Sequence, residues 1–282
     1  MSCAEDMTPP SAQEQKSTAT LVKPGNYTLV WFDEFDEGSV PDSTKWDYDL
    51  GSPLLGGTVW GNSEREHYTD SSANAYISNG SLVIQAIHET PAGASVGVLA
   101  SSARLKTTTN SYWDAVGNEP YGYYEVRAKL PCVAGAWPAI WLLGKEGGWP
   151  QQGEIDIMEW SGSDNNKSKV SSAIHTTDYH GDVSGAPESN PQYGAQYRSD
   201  MCSDYHIFHL HWTEEQLEMG VDNETTLIYR KTSSSSDQWP FDQPAYLIMN
   251  VAVGGTMGGN VNPADIADMT MYVDYVRVWQ SP

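Results

Sequence analysis

Short runs rich in Val, Ile, Tyr and Trp recur along this 282-residue chain between clusters of Gly, Asn, Asp and Ser, and helix signals are scarce. Ser81-Leu82-Val83-Ile84-Gln85-Ala86, Tyr123-Tyr124-Glu125-Val126-Arg127-Ala128-Lys129 and Tyr272-Val273-Asp274-Tyr275-Val276-Arg277-Val278 are examples. Runs of this kind are expected as strands of two packed sheets in an all-β fold. The length suits one sandwich or barrel domain. The first strand is expected near Tyr27 to Phe35 and the last near Val273 to Trp279, the two pairing to lock the sandwich. Residues 1–25 are expected to form a flexible leader and residues 26–282 the single domain; Met1 to Ser17 is polar and motif-free, as in a leader whose signal has been removed.

Within one β-prone run, Gly153-Glu154-Ile155-Asp156-Ile157-Met158-Glu159-Trp160, lie three carboxylates. Strict alternation puts Glu154 and Asp156 on one face and Glu159 on the other. A one-residue β-bulge near Met158 returns Glu159 to the first face, and bulges are frequent beside active sites because they re-aim a side chain. Ile155 and Ile157 then face a core while the acids line a groove. Glu154 and Glu159 fit the nucleophile and acid/base of a retaining glycosidase, whose carboxyls sit about 5 to 5.5 Å apart. Asp156 between them is placed to hydrogen-bond a neighbouring carboxyl and manage a shared proton. For this chemistry Glu159 is expected to hold its proton more tightly than Glu154.

The run Glu-Ile-Asp-Ile-Met-Glu resembles the motif of glycoside hydrolase family 16 in its bulged form, as in laminarinases, agarases and carrageenases. Four further runs resemble bacterial endo-1,3-β-glucanases: Trp60-Gly61-Asn62-Ser63-Glu64, Trp137-Pro138-Ala139-Ile140-Trp141-Leu142-Leu143-Gly144, Trp239-Pro240-Phe241-Asp242-Gln243-Pro244 and Asn250-Val251-Ala252-Val253-Gly254-Gly255. The resemblance covers the chain after Tyr27. It implies a concanavalin A-like β-jelly-roll sandwich of two antiparallel sheets, with a catalytic cleft on the concave face. It further implies an endo-hydrolase of laminarin-type β-1,3-glucan, with some cutting of mixed-linkage glucan, and no catalytic cofactor. By position it assigns Glu154 as nucleophile and Glu159 as acid/base, with Asp156 between them.

By the same resemblance, Asn62 hydrogen-bonds sugar hydroxyls on the non-reducing side of the cut, and Arg104, Trp137, Trp141 and His175 lie at or near the cleft. Trp137 and Trp141, four apart in an extended segment, share a sheet face and can stack on a sugar; each could instead be core. His175 is expected near the acid/base, with a purely structural histidine as the alternative. Trp160 alternates away from the cleft. A structural calcium is expected where Glu34, the Gly80 carbonyl and Asp274 match family positions, since a hard cation takes oxygen ligands; the alternative is surface acids at a sheet edge. Gly254-Gly255-Thr256-Met257-Gly258-Gly259 departs from the pattern, having Met where many relatives carry an aromatic. The loop from His175 to His180 also varies between specificities, so subsite preference stays open.

Composition narrows the partners. With 37 acidic and 15 basic residues the net charge is -22, which excludes the Lys/Arg footprint that nucleic acid needs and disfavours sulfated galactans. A neutral glucan is the expected partner, bound by a monomer. Eleven Trp and 16 Tyr against 4 Phe suit both sugar stacking and core packing. Of the cysteines, Cys132 and Cys202 can bridge, leaving Cys3, which is either incidental or the lipid-bearing residue of a lipoprotein. No apolar stretch reaches the ~20 residues of a membrane span. The expected location is extracellular, or extracytoplasmic as a bacterial lipoprotein. The rival readings are a galactanase of agar, porphyran or carrageenan type, a transglycosylase sharing the covalent intermediate, and a β-glucan-binding lectin on the same fold, which would lack the acids.

Overall fold

The computed structural model describes residues 23–52, 62–108, 120–163, 167–180 and 191–282. Cys3, most of the expected leader, and Trp60 and Gly61 of the first glucanase-like run lie outside the described residues. Numbered along the chain, one sheet runs from edge to edge as β13 (Tyr193–Tyr197), β12 (Lys169–His175), β11 (Glu154–Glu159), β10 (Ala136–Gly144), β17 (Ala245–Val253), β8 (Arg104–Thr107) and β2 (Trp46–Tyr48). The second runs β16 (Glu224–Arg230), β15 (Gln216–Val221), β14 (His206–Trp212), β9 (Gly122–Lys129), β18 (Thr270–Gln280), β5 (Ser81–Gln85) and β4 (Ala75–Ser78). The first strand, β1 (Thr28–Asp33), also pairs with the last, β18, as the sequence led us to expect. Both large sheets are antiparallel. A small third sheet, β3 (Glu66–Tyr68), β7 (Ala100–Ser102) and β6 (Ile87–His88), stands against β17.

Alternation decides what each sheet buries. From β10 Ala136, Ile140 and Leu142 enter the core, from β11 Ile155, Ile157 and Met158, and from β17 Leu247, Met249, Val251 and Val253. Facing them are Tyr124, Val126 and Ala128 of β9, Phe208, Leu210 and Trp212 of β14 and Val273, Val276 and Val278 of β18. The result is a jelly-roll sandwich whose shared apolar layer leaves the other face of the seven-stranded sheet open for chemistry. Cys132 and Cys202, 70 residues apart, form a disulfide that ties the β9–β10 connection to the β13–β14 connection.

The entry into β11 is fixed by Gly153. Its φ of 77° lies in the left-handed region, and a Cβ there would sit 2.7 Å from Pro240 Cγ and 2.8 Å from Phe241 Cε1. The Trp239–Pro244 run is therefore a buttress: Trp239 and Phe241 are buried, Trp239 stacks on Tyr229 at 5.7 Å, and Trp212 Nε1 donates to the Phe241 carbonyl at 3.1 Å. Gly153→Ala combines left-handed strain with this collision and is expected to cost about 1–3 kcal/mol. Thermal unfolding measures it; an unchanged Tm would contradict the buttress.

Candidate active site

The expected bulge is present. Opposite β12, Glu154 pairs with His175, Ile155 with Ile174 and Asp156 with Ala173, and then Glu159 with Ser171, so two residues of β11 face one of β12. Opposite β10 the register passes from Ile140↔Met158 to Trp141↔Asp156, leaving Ile157 as the extra residue. Ile157 and Met158 both enter the core, and Glu154, Asp156 and Glu159 all reach the open face. Trp160 is buried, as its alternation predicts.

Indole N–H groups bracket the acids. Trp137 Nε1 donates to Glu159 Oε1 at 3.0 Å and Trp149 Nε1 to Glu154 Oε2 at 2.7 Å. Asp156, 3% exposed, shares a hydrogen bond with Glu154 and lies 3.2 Å from His175 Nε2 through its Oδ2. His175 thus serves the Glu154 end of the cluster rather than the Glu159 end expected from sequence. Burial is the largest influence on all three carboxyls. It pushes Glu154 up to about 8, helped by the charge of Asp156 and opposed by His175 and the Trp149 N–H. It pushes Glu159 up to about 7, helped by Glu154 and opposed by the Trp137 N–H, and it raises Asp156 well above the carboxylate range. Both glutamates are thus held well above the usual carboxylate range. Hydrogen-bonded acids this close hold protons as a cluster, and the hydrogen bond that the Glu154 carboxyl donates to Asp156 raises Glu154 and opposes the rise of Asp156.

The neighbouring strands supply a wall. Trp141 lies on the open face of β10, its Nε1 donating to Asn250 Oδ1 at 2.8 Å, with the Arg104 guanidinium 4.6 Å from its ring centroid. Arg104 is 8% exposed and its Nε lies 3.1 Å from Asp49 Oδ2, so it supports Trp141 from below. Asn62 donates to Glu64 Oε1 at 3.4 Å. A Cβ on Gly255 would lie 3.1 Å from Glu64 Cγ and 3.3 Å from the Trp137 ring, which seats Asn62 and Glu64 beside Trp137. All five substrate-side residues expected from sequence therefore lie on or beside the open face.

Sequence reasoning missed Trp149, Asn250, Tyr68 and Glu66. Trp149 sits in a Gly-Gly-Trp-Pro turn that offered only its closeness to Glu154; Asn250 alternates between core residues Met249 and Val251, a readable sign that it faces outward. Asn250 Nδ2 donates to the Tyr68 hydroxyl at 3.1 Å, and Tyr68 in turn hydrogen-bonds Glu66. Glu66 Oε2 accepts the Val253 N–H at 2.7 Å. A directional chain of donors thus runs from the Trp141 indole inward to a fully buried acid.

The calcium expectation fares differently. Pairings Asp33↔Val276 and Val273↔Leu82 bring Glu34, Gly80 and Asp274 to one edge of β18. Both Glu34 oxygens, however, accept from Arg277 at 2.6 and 2.7 Å, and Asp274 Oδ2 accepts from Arg127 at 2.7 Å. The backbone register fits a cation site, and the Glu34 and Asp274 carboxylates each hold a guanidinium there. Among the described residues, the grouping whose ligand atoms lie within 4.8 Å of one another is Glu154, Asp156 and His175, in the cleft itself.

Burial raises Glu66 from 4.5 to about 8, with the Glu64 charge adding to it. The folded protein then binds more protons than the unfolded chain between these values, so the contribution of Glu66 to stability falls as pH rises through that window. Glu66→Gln is expected to match the parent Tm at pH 4 and to exceed it by at least a few degrees at pH 9. Parallel unfolding scans measure this; a gap that does not grow with pH would contradict it.

The sequence profile of glycosyl hydrolases family 16 matches residues 64–277. A β-glucanase of Rhodothermus marinus is 39% identical over 92% of this chain and 87% of that protein. A keratan-sulfate endo-1,4-β-galactosidase of Sphingobacterium multivorum is 34% identical over 94% of this chain, which spans 58% of its length. Among solved structures, a non-specific endo-β-1,3(4)-glucanase from family GH16 superposes with a TM-score of 0.80 at 36% identity, covering 93% of this chain and 94% of that one. The bulged acidic strand on the open face of a jelly roll, matched along most of its length by these relatives, makes the chain a glycoside hydrolase and a member of glycosyl hydrolases family 16.

Proposed function

We propose that the protein is a retaining endo-β-1,3-glucanase acting on laminarin-type glucan by double displacement, with Glu154 as nucleophile and Glu159 as acid/base. The observation that carries this is the convergence of Glu154, Asp156 and Glu159 on one open face through the Ile157 bulge. The Glu159 carboxyl gives its proton to the glycosidic oxygen while a Glu154 oxygen attacks the anomeric carbon, forming a glycosyl ester and releasing the reducing-end fragment. Glu159, now ionised, takes a proton from water as that water attacks the same carbon, and Glu154 departs with net retention. Asp156 hands its hydrogen bond between the charged and esterified forms of Glu154, and the Trp149 N–H steadies the nucleophile's other oxygen.

For the substrate, the net charge of -22 and the glucanase-like runs around Trp137 and Asn250 favour a neutral glucan, and the 1,3(4) specificity of the structural relative suggests that mixed-linkage glucan is also cut. The galactosidase relative keeps a galactan hydrolase as the second reading. A lectin is disfavoured by the intact acids. No helix among the described residues is long and apolar enough to cross a membrane. We place the enzyme outside the cytoplasm, as a monomer with its catalytic domain over residues 26–282. Calcium at the β18 edge is proposed on register alone; a chelator is expected to lower Tm and added calcium to restore it, and no shift would remove the ion.

Product analysis by mass spectrometry on laminarin, mixed-linkage glucan, agarose, porphyran, carrageenan and keratan sulfate tests the substrate. Short glucose oligomers from laminarin are expected, and Glu154→Gln should lower kcat on the order of 10³-fold or more. Release only from a galactan would overturn the substrate, and full activity in the variant would overturn the mechanism. Below about 7 the Glu154–Glu159 pair is doubly protonated and lacks a nucleophile; above about 8 it is doubly ionised and lacks an acid. The kcat/KM of the free enzyme should therefore peak between these values, and a maximum below about pH 5 would contradict the assignment.

A further inference from the structure

The open face continues past the acids to an edge that nothing so far has used. Across β11, β12 and β13 the register aligns Asp156 with Ala173 and Tyr193, and Glu159 with Ser171 and Ala195, while Lys169 pairs with Tyr197. Directly opposed residues share a face of a sheet. Tyr193, Ala195 and Tyr197 therefore stand on the same face as the acids. The intervening strand contributes only the short side chains of Ala173 and Ser171 to this path.

A second observation fixes the orientation of β13 independently. Its alternate residues are pinned to the opposite sheet: a Cβ on Gly194 would lie 2.1 Å from the Thr226 carbonyl oxygen, and Gln196 Nε2 donates to the Thr225 carbonyl at 2.9 Å. With Gly194 and Gln196 held against β16, the tyrosines can only point away from it. They are among the most exposed large side chains described, Tyr193 at 41% and Tyr197 at 63%, and Lys169 Nζ sits 6.0 Å from the Tyr193 ring centroid. Among the described residues neither ring is paired with another aromatic, and both stand on an edge strand.

Their distance from the chemistry suggests a role. Strands lie about 4.8 Å apart, so β13 is roughly 10 Å from the catalytic strand, further than a single pyranose ring reaches. Asn62, Trp137 and Trp141 occupy the other side of β11, and of these it is Asn62 that the family resemblance assigns to the non-reducing side of the cut. We infer that Tyr193 and Tyr197 form a stacking platform for glucosyl units on the reducing-end side of the scissile bond. The platform rests on the glucanase proposal and adds a binding site to it. It holds the leaving fragment during the first displacement and, once the glycosyl ester has formed, holds an acceptor sugar in competition with water. Tyr supplies the flat apolar face that the axial C–H groups of a β-glucosyl ring present, with a hydroxyl at its rim for the sugar's own hydroxyls.

The test compares two substrates. Laminarihexaose occupies both sides of the cut, whereas an aryl β-laminaritrioside places all its sugars on the non-reducing side and only the aryl group beyond. The double variant Tyr193→Ala/Tyr197→Ala is expected to lose roughly 10-fold in kcat/KM on the hexaose, equivalent to about 1.4 kcal/mol of binding. On the aryl trioside it should stay within about two-fold of the parent. The ratio of transfer products to hydrolysis products should fall, and Tyr193→Phe/Tyr197→Phe should restore most of the loss. An equal loss on both substrates would mark a structural role, and no loss on either would remove the platform; both outcomes overturn the inference while leaving the glucanase proposal standing. A parent enzyme that cleaves neither substrate would defeat that proposal, and the platform with it.

Discussion

One extra residue in one strand organises this site. Were β11 regular, with Ile157 paired in register instead of bulged, the side-chain period of two would turn Glu159 into the core, where a carboxyl would have no water and no partner. With the bulge, the strand keeps its apolar side chains inward on both sides of the irregularity and still presents Glu154, Asp156 and Glu159 outward. The same bulge shifts the register against β10, which brings Trp137 to Glu159 while Trp141 stays level with Asp156. Acid placement and aromatic wall are therefore consequences of a single local backbone choice, held in place by the Gly153 turn packed on Pro240 and Phe241.

Electrostatics follow from that geometry. Three carboxyls on one face, closed in by Trp137, Trp149 and His175, cannot all ionise near neutrality, so the cleft retains a proton of the kind general-acid catalysis lends and recovers. Indole N–H groups counter this at one oxygen each of Glu154 and Glu159, stabilising the charged form of each carboxyl. Behind the wall a second buried acid, Glu66, terminates the hydrogen-bond chain through Tyr68 and Asn250 and fixes the rotamer of Trp141 without facing the cleft. The two clusters differ in purpose: in the proposed mechanism one exchanges protons with substrate, while the other holds an aromatic surface still.

Much of this was legible in the sequence because it depends on period and punctuation. The strands, the pairing of first and last, the bulge and the inward turn of Trp160 all follow from alternation read against Gly and Ser boundaries. What was not legible depends on contacts between distant segments. Trp149 meets Glu154 only once the Gly153 turn closes, and Arg104 passes under Trp141 because β8 and β10 both flank β17. The carboxylates expected to bind calcium turn instead to Arg127 and Arg277, guanidiniums whose position no local pattern reveals.

In the proposed mechanism Glu154 and Glu159 act from opposite sides of one anomeric carbon, which fixes the stereochemistry of the product. Proton NMR of the first minutes of laminarin-oligosaccharide hydrolysis measures it directly, before mutarotation blurs the signal. The β-anomer should appear first and the α-anomer only as mutarotation proceeds. Initial release of the α-anomer would mean a single displacement by water, and would contradict the assignment of Glu154 as nucleophile.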